Sequence, residues 1–274
     1  MPIIHIRALT DPALLPFSSL TRRAGQAGLK DCFIAETRTV ILNAAANGCE
    51  PVSFLISEKC LAGRDRDLPE RFENAVFYTA EDSVLEELTG YALTRGILAL
   101  MKNPPARSLE SIVRNARRLA VLEGVQDASN IGAVLRSAAA LGMDGVLLDS
   151  ACCDPLHRKA VRTSMGGVFA VPWAKLSCSG TETVRQLNAL GFTTAAFALS
   201  DAAVPLQAAP FYENTPVALV FGAEGPGLHD ETVKACKAVI RIPMRHGMDS
   251  LNIATAAAIA FWELTRSMLT AERE

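Results

Sequence analysis

The chain has 274 residues, a formal net charge of −2 and a pI near 6.1, and half of its residues are hydrophobic. This length suits two domains or one large one, and the hydrophobic share excludes a disordered chain as a class. The near-neutral charge excludes a globally basic nucleic-acid binder, so any contact with RNA must come from local basic patches.

Signals for secretion, membrane insertion or metal binding are not seen in the sequence. MPIIHIRALTDP at the N-terminus has no basic stretch followed by an apolar one, as a secretory signal has. Apolar runs such as IATAAAIAFW are shorter than the roughly 20 residues of a membrane span. Seven cysteines without C-x-x-C spacing argue against a zinc site and favour reduced thiols. We therefore expect a cytoplasmic protein with no metal site.

The first hundred residues show a mixed helix and strand pattern. The predicted elements are a helix over 33–48, strands over 52–57, 75–80 and 96–102, and a short helix over 81–90. Residues 102–108, KNPPARS, contain two prolines, which fix φ and disfavour helix, so they are predicted to form a linker. The sequence thus predicts a small α/β domain over 1–101 and a second domain over 109–274.

In the second domain, strand and helix patterns alternate more regularly. The predicted strands are 117–125, 145–150, 192–200, 217–222 and 239–244, and the predicted helices are 131–142, 181–190, 229–237 and about 250–268. Strands that alternate with helices of about ten residues indicate βαβ units. We therefore predict a parallel sheet covered by helices on both faces.

Three blocks with Gly or Asn in their turns lie where strand-like runs of this sheet meet helices. They are SNIGAVLRSAAALG (129–142), LVFGAEGPGL (219–228) and IPMRHGMDSLNIATAAAI (242–259). Open α/β sheets bind ligands at the turns that follow the carboxyl ends of their strands. The three blocks together therefore predict one composite site.

The first block contains polar residues at the start of a helix and one arginine inside it. Asp127, Ser129 and Asn130 fit either helix capping or a site, and both interpretations stay open. Arg136 lies in the otherwise apolar run IGAVLRSAAALG. An arginine there must reach solvent or meet an anion, because a buried unpaired charge is costly.

In the second block, Glu224 stands between glycines directly after a strand. Glycines let a ligand approach the main chain closely, although a plain turn remains the alternative for Glu224. A dinucleotide site is disfavoured, because the G-x-G-x-x-G pattern with an acidic residue about 20 positions later is absent.

The third block joins a strand to an Ala-rich helix. Ser250 is a natural N-cap for that helix, whereas Asn252 in its first turn is unexpected, because Asn is a poor helix former away from the cap. A hydrolase with Ser250 as nucleophile and His246 or His157 as base is the other enzyme interpretation. It is disfavoured because the G-x-S-x-G turn is absent.

Together the three blocks resemble the motifs of the SpoU (TrmH) family of RNA ribose 2′-O-methyltransferases, in the SPOUT superfamily, over about residues 117–265. The first motif matches at Asn130 and Arg136, and the second at Gly222 and Glu224. The third matches at Ile242, Pro243, Met244, Gly247, Ser250, Leu251 and Asn252.

The resemblance implies a catalytic domain with a C-terminal trefoil knot, preceded by a small RNA substrate-binding domain. It implies S-adenosylmethionine as cofactor, RNA (ribosomal more than transfer RNA) as substrate, and a homodimer formed through the C-terminal domain. The implied catalytic residues are Asn130, Arg136, Glu224, Ser250 and Asn252, and the implied cofactor contacts are Gly222, Ile242 and Leu251.

Two roles stay open for Arg136. The family resemblance implies a proton acceptor, whereas a guanidinium pKa above about 12 favours a grip on the phosphate beside the target ribose. A non-catalytic RNA-binding or ribosome-assembly factor with the same fold is the alternative function.

Two further patterns bear on partners. Candidate basic patches for RNA are Arg22 and Arg23, Arg64 and Arg66, Arg117 and Arg118, and the cluster His157, Arg158, Lys159 and Arg162. The helix at 250–268 is apolar on more than one face, which predicts that it is buried on several sides. A second subunit is the simplest cover for the remaining face.

Overall fold

The computed structural model describes residues 3–6, 11–18, 31–89, 96–200, 202–209, 215–246 and 250–271. The chain divides into two compact units. The first comprises Met1–Pro105 and Leu156–Phe169, and the second comprises Ala106–Pro155 and Ala170–Glu274. The sequence-based division placed all residues from 109 onward in one domain, whereas Leu156–Phe169 groups with the first unit.

The elements follow in chain order. The strands are β1 (Ile3–His5), β2 (Cys32–Glu36), β3 (Pro51–Ser57), β4 (Val76–Ala80), β5 (Ile97–Lys102), β6 (Arg118–Glu123), β7 (Gly145–Leu148), β8 (Trp173–Lys175), β9 (Thr193–Phe197), β10 (Val204–Pro205), β11 (Val217–Gly222) and β12 (Ala238–Arg241). The helices are α1 (Leu15–Ser18), α2 (Arg38–Ala46), α3 (Glu58–Ala62), α4 (Leu68–Arg71), α5 (Asp82–Thr89), α6 (Leu109–Val113), α7 (Ala128–Ala140), α8 (Arg158–Ser164), α9 (Gly167–Ala170), α10 (Gly180–Ala189), α11 (Asp230–Ala235) and α12 (Ile253–Ala271). Short 3₁₀ helices lie at Pro12–Leu14 and Leu206–Ala208.

The first unit contains a mixed sheet with the strand order β1-β4-β3-β5-β2. Strands β1, β4 and β3 run parallel, and β5 runs antiparallel to both β3 and β2. The fully buried rings of Phe54 and Phe77 stack at 4.3 Å between centroids within its core. The predicted strands β3, β4 and β5 and the predicted helix α5 are confirmed.

The predicted helix at 33–48 is wrong in its first part. Strand β2 occupies Cys32–Glu36, and helix α2 begins only at Arg38. Thr37 separates them with φ +82°, and its hydroxyl caps α2 by accepting the N–H of Val40 at 3.4 Å. The apolar run at the start fits either structure locally, and antiparallel pairing with β5 selects the strand.

The second unit contains a seven-stranded sheet with the order β10-β12-β9-β11-β6-β7-β8, and every pairing in it is parallel. Alternate residues of each strand face opposite layers. Val121 and Val220 belong to a core with α6 and α10, whereas Phe221 meets Phe261 of α12 edge-to-face at 5.9 Å. The predicted parallel sheet with helices on both faces is confirmed. The trefoil knot stays a prediction.

Helix α12 begins three residues later than predicted, at Ile253. Ala257 and Ala260 are fully buried within the unit, whereas Ile259 and Trp262 are 39% and 50% exposed. Its apolar surface is therefore divided between the subunit core and a solvent-facing stripe. In the described part of the chain, neither this helix nor any other combines the length and apolar character of a membrane span.

Candidate functional site

Asn252 caps helix α12. Its side-chain oxygen accepts the N–H groups of Ala254 at 2.9 Å and Thr255 at 3.4 Å. These are the first unpaired donors of a helix, and Asn satisfies them as well as Ser does. The assignment of the cap to Ser250 is therefore wrong. Ser250 is exposed two residues upstream.

Because the oxygen of Asn252 accepts these helix N–H groups, the orientation of its NH₂ group is determined. Nδ2 donates to Oδ1 of Asn130 at 3.0 Å and to Oε1 of Glu224 at 2.5 Å. One residue from each of the three motifs thus takes part in a single hydrogen-bonded cluster. We call Asn130, Glu224 and Asn252 the amide cluster.

Helix α7 positions Asn130. Asp127 caps this helix by accepting the N–H of Ser129 at 2.9 Å, and Asn130 lies in the first turn, 7% exposed. A buried amide is stable only when it is hydrogen-bonded, and Asn252 supplies that bond. Since α7 packs against α12, the bond joins the starts of two neighbouring helices.

Glu224 is presented by a tight turn, residues 222–228, which we call the glycine loop. Gly227 donates its N–H to the carbonyl of Ala223 at 3.0 Å, and the φ angles of Gly225 and Gly227 are +90° and +73°. A Cβ on Gly222 would lie 2.2 Å from the carbonyl carbon of Gly227. Residue 222 must therefore be glycine for the loop to close on itself.

A cleft of about 940 Å³ opens beside this loop. The predicted residues that line it are Gly222, Glu224, Ile242, Ser250, Leu251 and Asn252. Its size falls within the range of small-molecule sites. Asn252 is the cap residue of α12, and the other five residues lie in or next to loops at one edge of the sheet.

Arg136 is not brought into this cleft within one chain. It is exposed on α7, six residues beyond Asn130 and thus about 9 Å further along the helix axis. No hydrogen bond or ion pair joins it to any residue that the structure describes. In the rest of the third motif, Met244 also lines the cleft, Pro243 is exposed, and Gly247 lies outside the described residues.

Part of the cleft is formed by residues outside the three motifs. Ala198, Leu199 and Ser200 line it from the turn after β9, and Asp230 and Arg241 add charged groups. The available signal was the strand FTTAAFALS, because β9 lies between β12 and β11, the strands that carry two of the motifs. Sequence order alone does not reveal that neighbourhood.

None of the described cysteines lines this cleft. Burial raises the pKa of the Cys152 and Cys236 thiols to about 12, so both stay protonated at neutral pH. Among the described residues, no group of three His, Cys, Asp or Glu side chains is arranged to hold a metal ion.

Residues 117–262, slightly more than half of the chain, match the sequence model of the SpoU rRNA Methylase family. The chain belongs to this family. A Mycobacterium bovis protein described as an uncharacterized tRNA/rRNA methyltransferase is 38% identical over 261 residues, which cover 94% of this chain and 90% of that protein.

Two further similar proteins match over most of the chain. The 23S rRNA (guanosine-2′-O-)-methyltransferase RlmB of Acinetobacter baylyi is 31% identical over 209 residues, covering 74% of this chain and 83% of RlmB. The crystal structure of an AdoMet-bound rRNA methyltransferase from Sinorhizobium meliloti superposes with a TM-score of 0.83 at 25% identity, covering 97% of this chain and 98% of that one. The predicted family and fold class are confirmed.

Proposed function

We propose that this protein transfers a methyl group from S-adenosylmethionine to a ribose 2′-hydroxyl of RNA, with ribosomal RNA as the substrate class. The observation that carries the proposal is the amide cluster at the wall of a 940 Å³ cleft, in a chain of the SpoU family. The similarity to RlmB, whose name states 23S rRNA and 2′-O-methylation, supports the assignment of ribosomal RNA ribose as the target. The similarity to the AdoMet-bound rRNA methyltransferase supports the assignment of the cofactor.

The residues of the cleft fit S-adenosylmethionine. Among the residues that the structure describes, the charged ones lining it are Glu224, Asp230 and Arg241, so carboxylates outnumber guanidinium groups there. This balance favours a cationic sulfonium group. Gly222, Ile242 and Leu251 offer backbone groups and apolar surface to the adenosyl part. When bound, the cofactor supplies a methyl group that is already activated.

The amide cluster is arranged to orient the ribose. Asn130 does not line the cleft; its oxygen accepts from Asn252 and so holds the Asn252 carboxamide in place at the cleft wall. Ser250 adds an exposed hydroxyl at the cleft. Because the cluster is held by helix caps and the glycine loop, these groups need little rearrangement when substrate binds.

Arg136 serves in this proposal as a phosphate grip. The Arg136 side chain is exposed, and a guanidinium group is in general a poor base and a good bidentate partner for a phosphate. Since it lies outside the cleft of its own chain, the proposal needs a second subunit or bound RNA to bring phosphate and cleft together.

A homodimer through α12 is the second part of the proposal. Ile259 and Trp262 are one helical turn apart and form an exposed apolar stripe. Large exposed apolar side chains that share one face often mark a protein interface. A second copy of α12 is the simplest partner, because an isologous contact covers the stripe on both subunits at once.

The RNA contacts are proposed to use the exposed basic residues of α8. Arg158 is half-buried and pairs with Glu36 at 3.2 Å, so it is held within the first unit. Lys159 and Arg162 are exposed on the same helix, and Arg162 lies 3.9 Å from the Glu36 carboxylate. Arg22 and Arg23 lie outside the described residues.

The deciding experiment maps 2′-O-methylation in total RNA from cells with and without the gene. One or a few ribosomal ribose positions should lose the modification, and purified protein should restore labelled methyl groups at the same positions. Restoration in transfer RNA alone would change the substrate class. Cofactor binding without transfer to either RNA would contradict the proposal and favour a non-catalytic factor.

A further inference from the structure

Glu123 is a buried carboxylate that the proposed mechanism does not use. It is the last residue of β6, is 3% exposed, and lies opposite Gly222 in the parallel pairing with β11. No ion pair to it exists among the residues that the structure describes. A buried charge without an ionic partner must be stabilised by hydrogen bonds.

Those hydrogen bonds come from the segment that follows the glycine loop. Oε1 of Glu123 accepts the backbone N–H of His229 at 2.8 Å, and Oε2 accepts the hydroxyl of Thr232 at 2.5 Å. The Thr232 hydroxyl also lies 2.6 Å from that of Thr181. Thr232 donates its hydroxyl proton to the carboxylate oxygen, so the Thr181 hydroxyl donates to Thr232.

The space around the Glu123 carboxylate is tightly filled by neighbouring residues. A Cβ on Gly180, the first residue of α10, would lie 2.1 Å from Oε2 of Glu123. Thr232 is fully buried on α11. The carboxylate is thus enclosed where β6, α10 and α11 meet, and the absence of a side chain at residue 180 is a condition for its position.

This position places Glu123 at both ends of the glycine loop. Its backbone is paired with Gly222, where the loop begins, and its carboxylate holds His229, directly after the loop ends. The residues between them line the cleft and include Glu224 of the amide cluster. These two attachments hold the ends of the loop, in addition to the hydrogen bond between Gly227 and Ala223 within it.

We propose that Glu123 is a positioning residue, which acts through His229 and Thr232 to hold the glycine loop in the shape that binds S-adenosylmethionine. The inference rests on the proposed function for the identity of the ligand. It assigns no chemical step to Glu123, which is buried behind the loop and not among the residues that line the cleft.

The test is the affinity of the full-length protein for S-adenosylmethionine, measured by titration calorimetry on Glu123→Ala and Glu123→Gln. Glu123→Ala should weaken binding about tenfold or more, because it removes two hydrogen bonds to a charged acceptor. Glu123→Gln should recover most of the affinity, since its oxygen still accepts the His229 N–H and its NH₂ donates to the Thr232 hydroxyl. In transfer assays, KM for the cofactor should rise by the same factor, while kcat changes less than about threefold.

Asp149 offers a matched control. It is 4% exposed, follows the neighbouring strand β7, and accepts the N–H groups of Gly124, Ala151 and Cys152 with one oxygen, Oδ1. None of these donors lines the cleft. Asp149→Asn keeps that oxygen and removes a buried charge, so its affinity for the cofactor should stay within about twofold of wild type.

If Glu123→Ala does not fold, Thr232→Val tests the same contact from the other side. It replaces the hydroxyl that donates to Glu123 by a methyl group. It should weaken cofactor binding several-fold, and Thr232→Ser should not. Folded variants that bind the cofactor as wild type does, even with a lower melting temperature, would overturn the proposal, because Glu123 would then only stabilise the fold. A wild-type protein that does not bind the cofactor would contradict the proposed function instead.

Discussion

At the scale of single residues, Asn252 combines a structural and a functional contact in one carboxamide. Its oxygen caps α12, and its nitrogen joins Asn130 to Glu224. Rotating the amide by 180° would place NH₂ against the helix N–H groups and oxygen against the Glu224 carboxylate. Both contacts would then be repulsive, so the capping bond also determines the orientation of the amide cluster.

Two substitutions separate these contacts. Asn252→Asp keeps an oxygen for the cap but places a second carboxylate beside Glu224, so methyl transfer should be lost with little change in melting temperature. Asn252→Ala should lose transfer and also about 1 kcal/mol of stability, the usual value of an N-cap. Transfer assays and thermal unfolding of both variants check this, and near-wild-type transfer by Asn252→Asp would contradict it.

Cys152 leads to a prediction about pH. Burial, and secondarily the charge of Asp149, raises the pKa of its thiol from the ordinary 9.0 to about 12. Above pH 9 the unfolded thiol loses its proton while the folded one keeps it, so stability falls as pH rises from about 9 to 12. Between pH 8 and 10.5 wild type should lose about 2 kcal/mol more than Cys152→Ala. Urea unfolding at both pH values measures the difference, and equal losses would show that the thiol is not responsible.

At the scale of elements, the glycine loop closes only because the backbone at Gly222 lies very near the backbone at Gly227. A Cβ on Gly222 would overlap the carbonyl group of Gly227 and the nitrogen of Leu228, at 2.2 to 2.3 Å. Gly225, in the same loop, has no atom within 4 Å of a built Cβ. At residue 222 only glycine fits the available space, whereas at residue 225 the φ of +90° favours glycine without excluding a side chain.

Gly222→Ala should therefore open the loop and abolish measurable cofactor binding. Gly225→Ala is the matched control, because it adds the same methyl group where space is open and costs only about 1–2 kcal/mol of left-handed strain. Calorimetric titration with S-adenosylmethionine compares the two variants. Similar affinities for both would show that the contact between Gly222 and Gly227 is not needed for binding.

At the scale of the whole molecule, the apolar stripe on α12 concerns assembly. Ala257 and Ala260 are inside the subunit, so a charge there would unfold it, whereas Trp262 is half exposed. Trp262→Glu should convert a dimer to a monomer in analytical ultracentrifugation. Leu190→Glu, at an equally exposed leucine after α10, should leave the dimer intact. A wild-type monomer at micromolar concentration would contradict the dimer.

The exposed position of Arg136 predicts how two inactive variants behave together. If Arg136 of one subunit completes the cleft of the other, co-expressed Arg136→Ala and Asn252→Asp chains form mixed dimers with one intact site each. Random pairing then restores about a quarter of wild-type activity, since half of the dimers are mixed and half of their sites are intact. No recovery would show that Arg136 acts within its own subunit.

The sequence by itself determined the parallel sheet and the three motifs. Buried strands such as β6 and β11 are continuous apolar runs, and glycines mark the turns after them, so each is recognisable within a few residues. The family motifs are equally local. Their placement at one edge of the sheet follows from parallel strands that end on the same side.

Only the tertiary structure decided which residues from distant segments meet. Strand β2 is a strand because β5 pairs with it, and Leu156–Phe169 belongs to the first unit because α8 packs on β2. Glu123 has no motif around it, and its partners His229 and Thr232 lie more than a hundred positions away. The order of strands in the sheet determines such contacts. That order cannot be read from a local sequence pattern, because it depends on which distant segments pair.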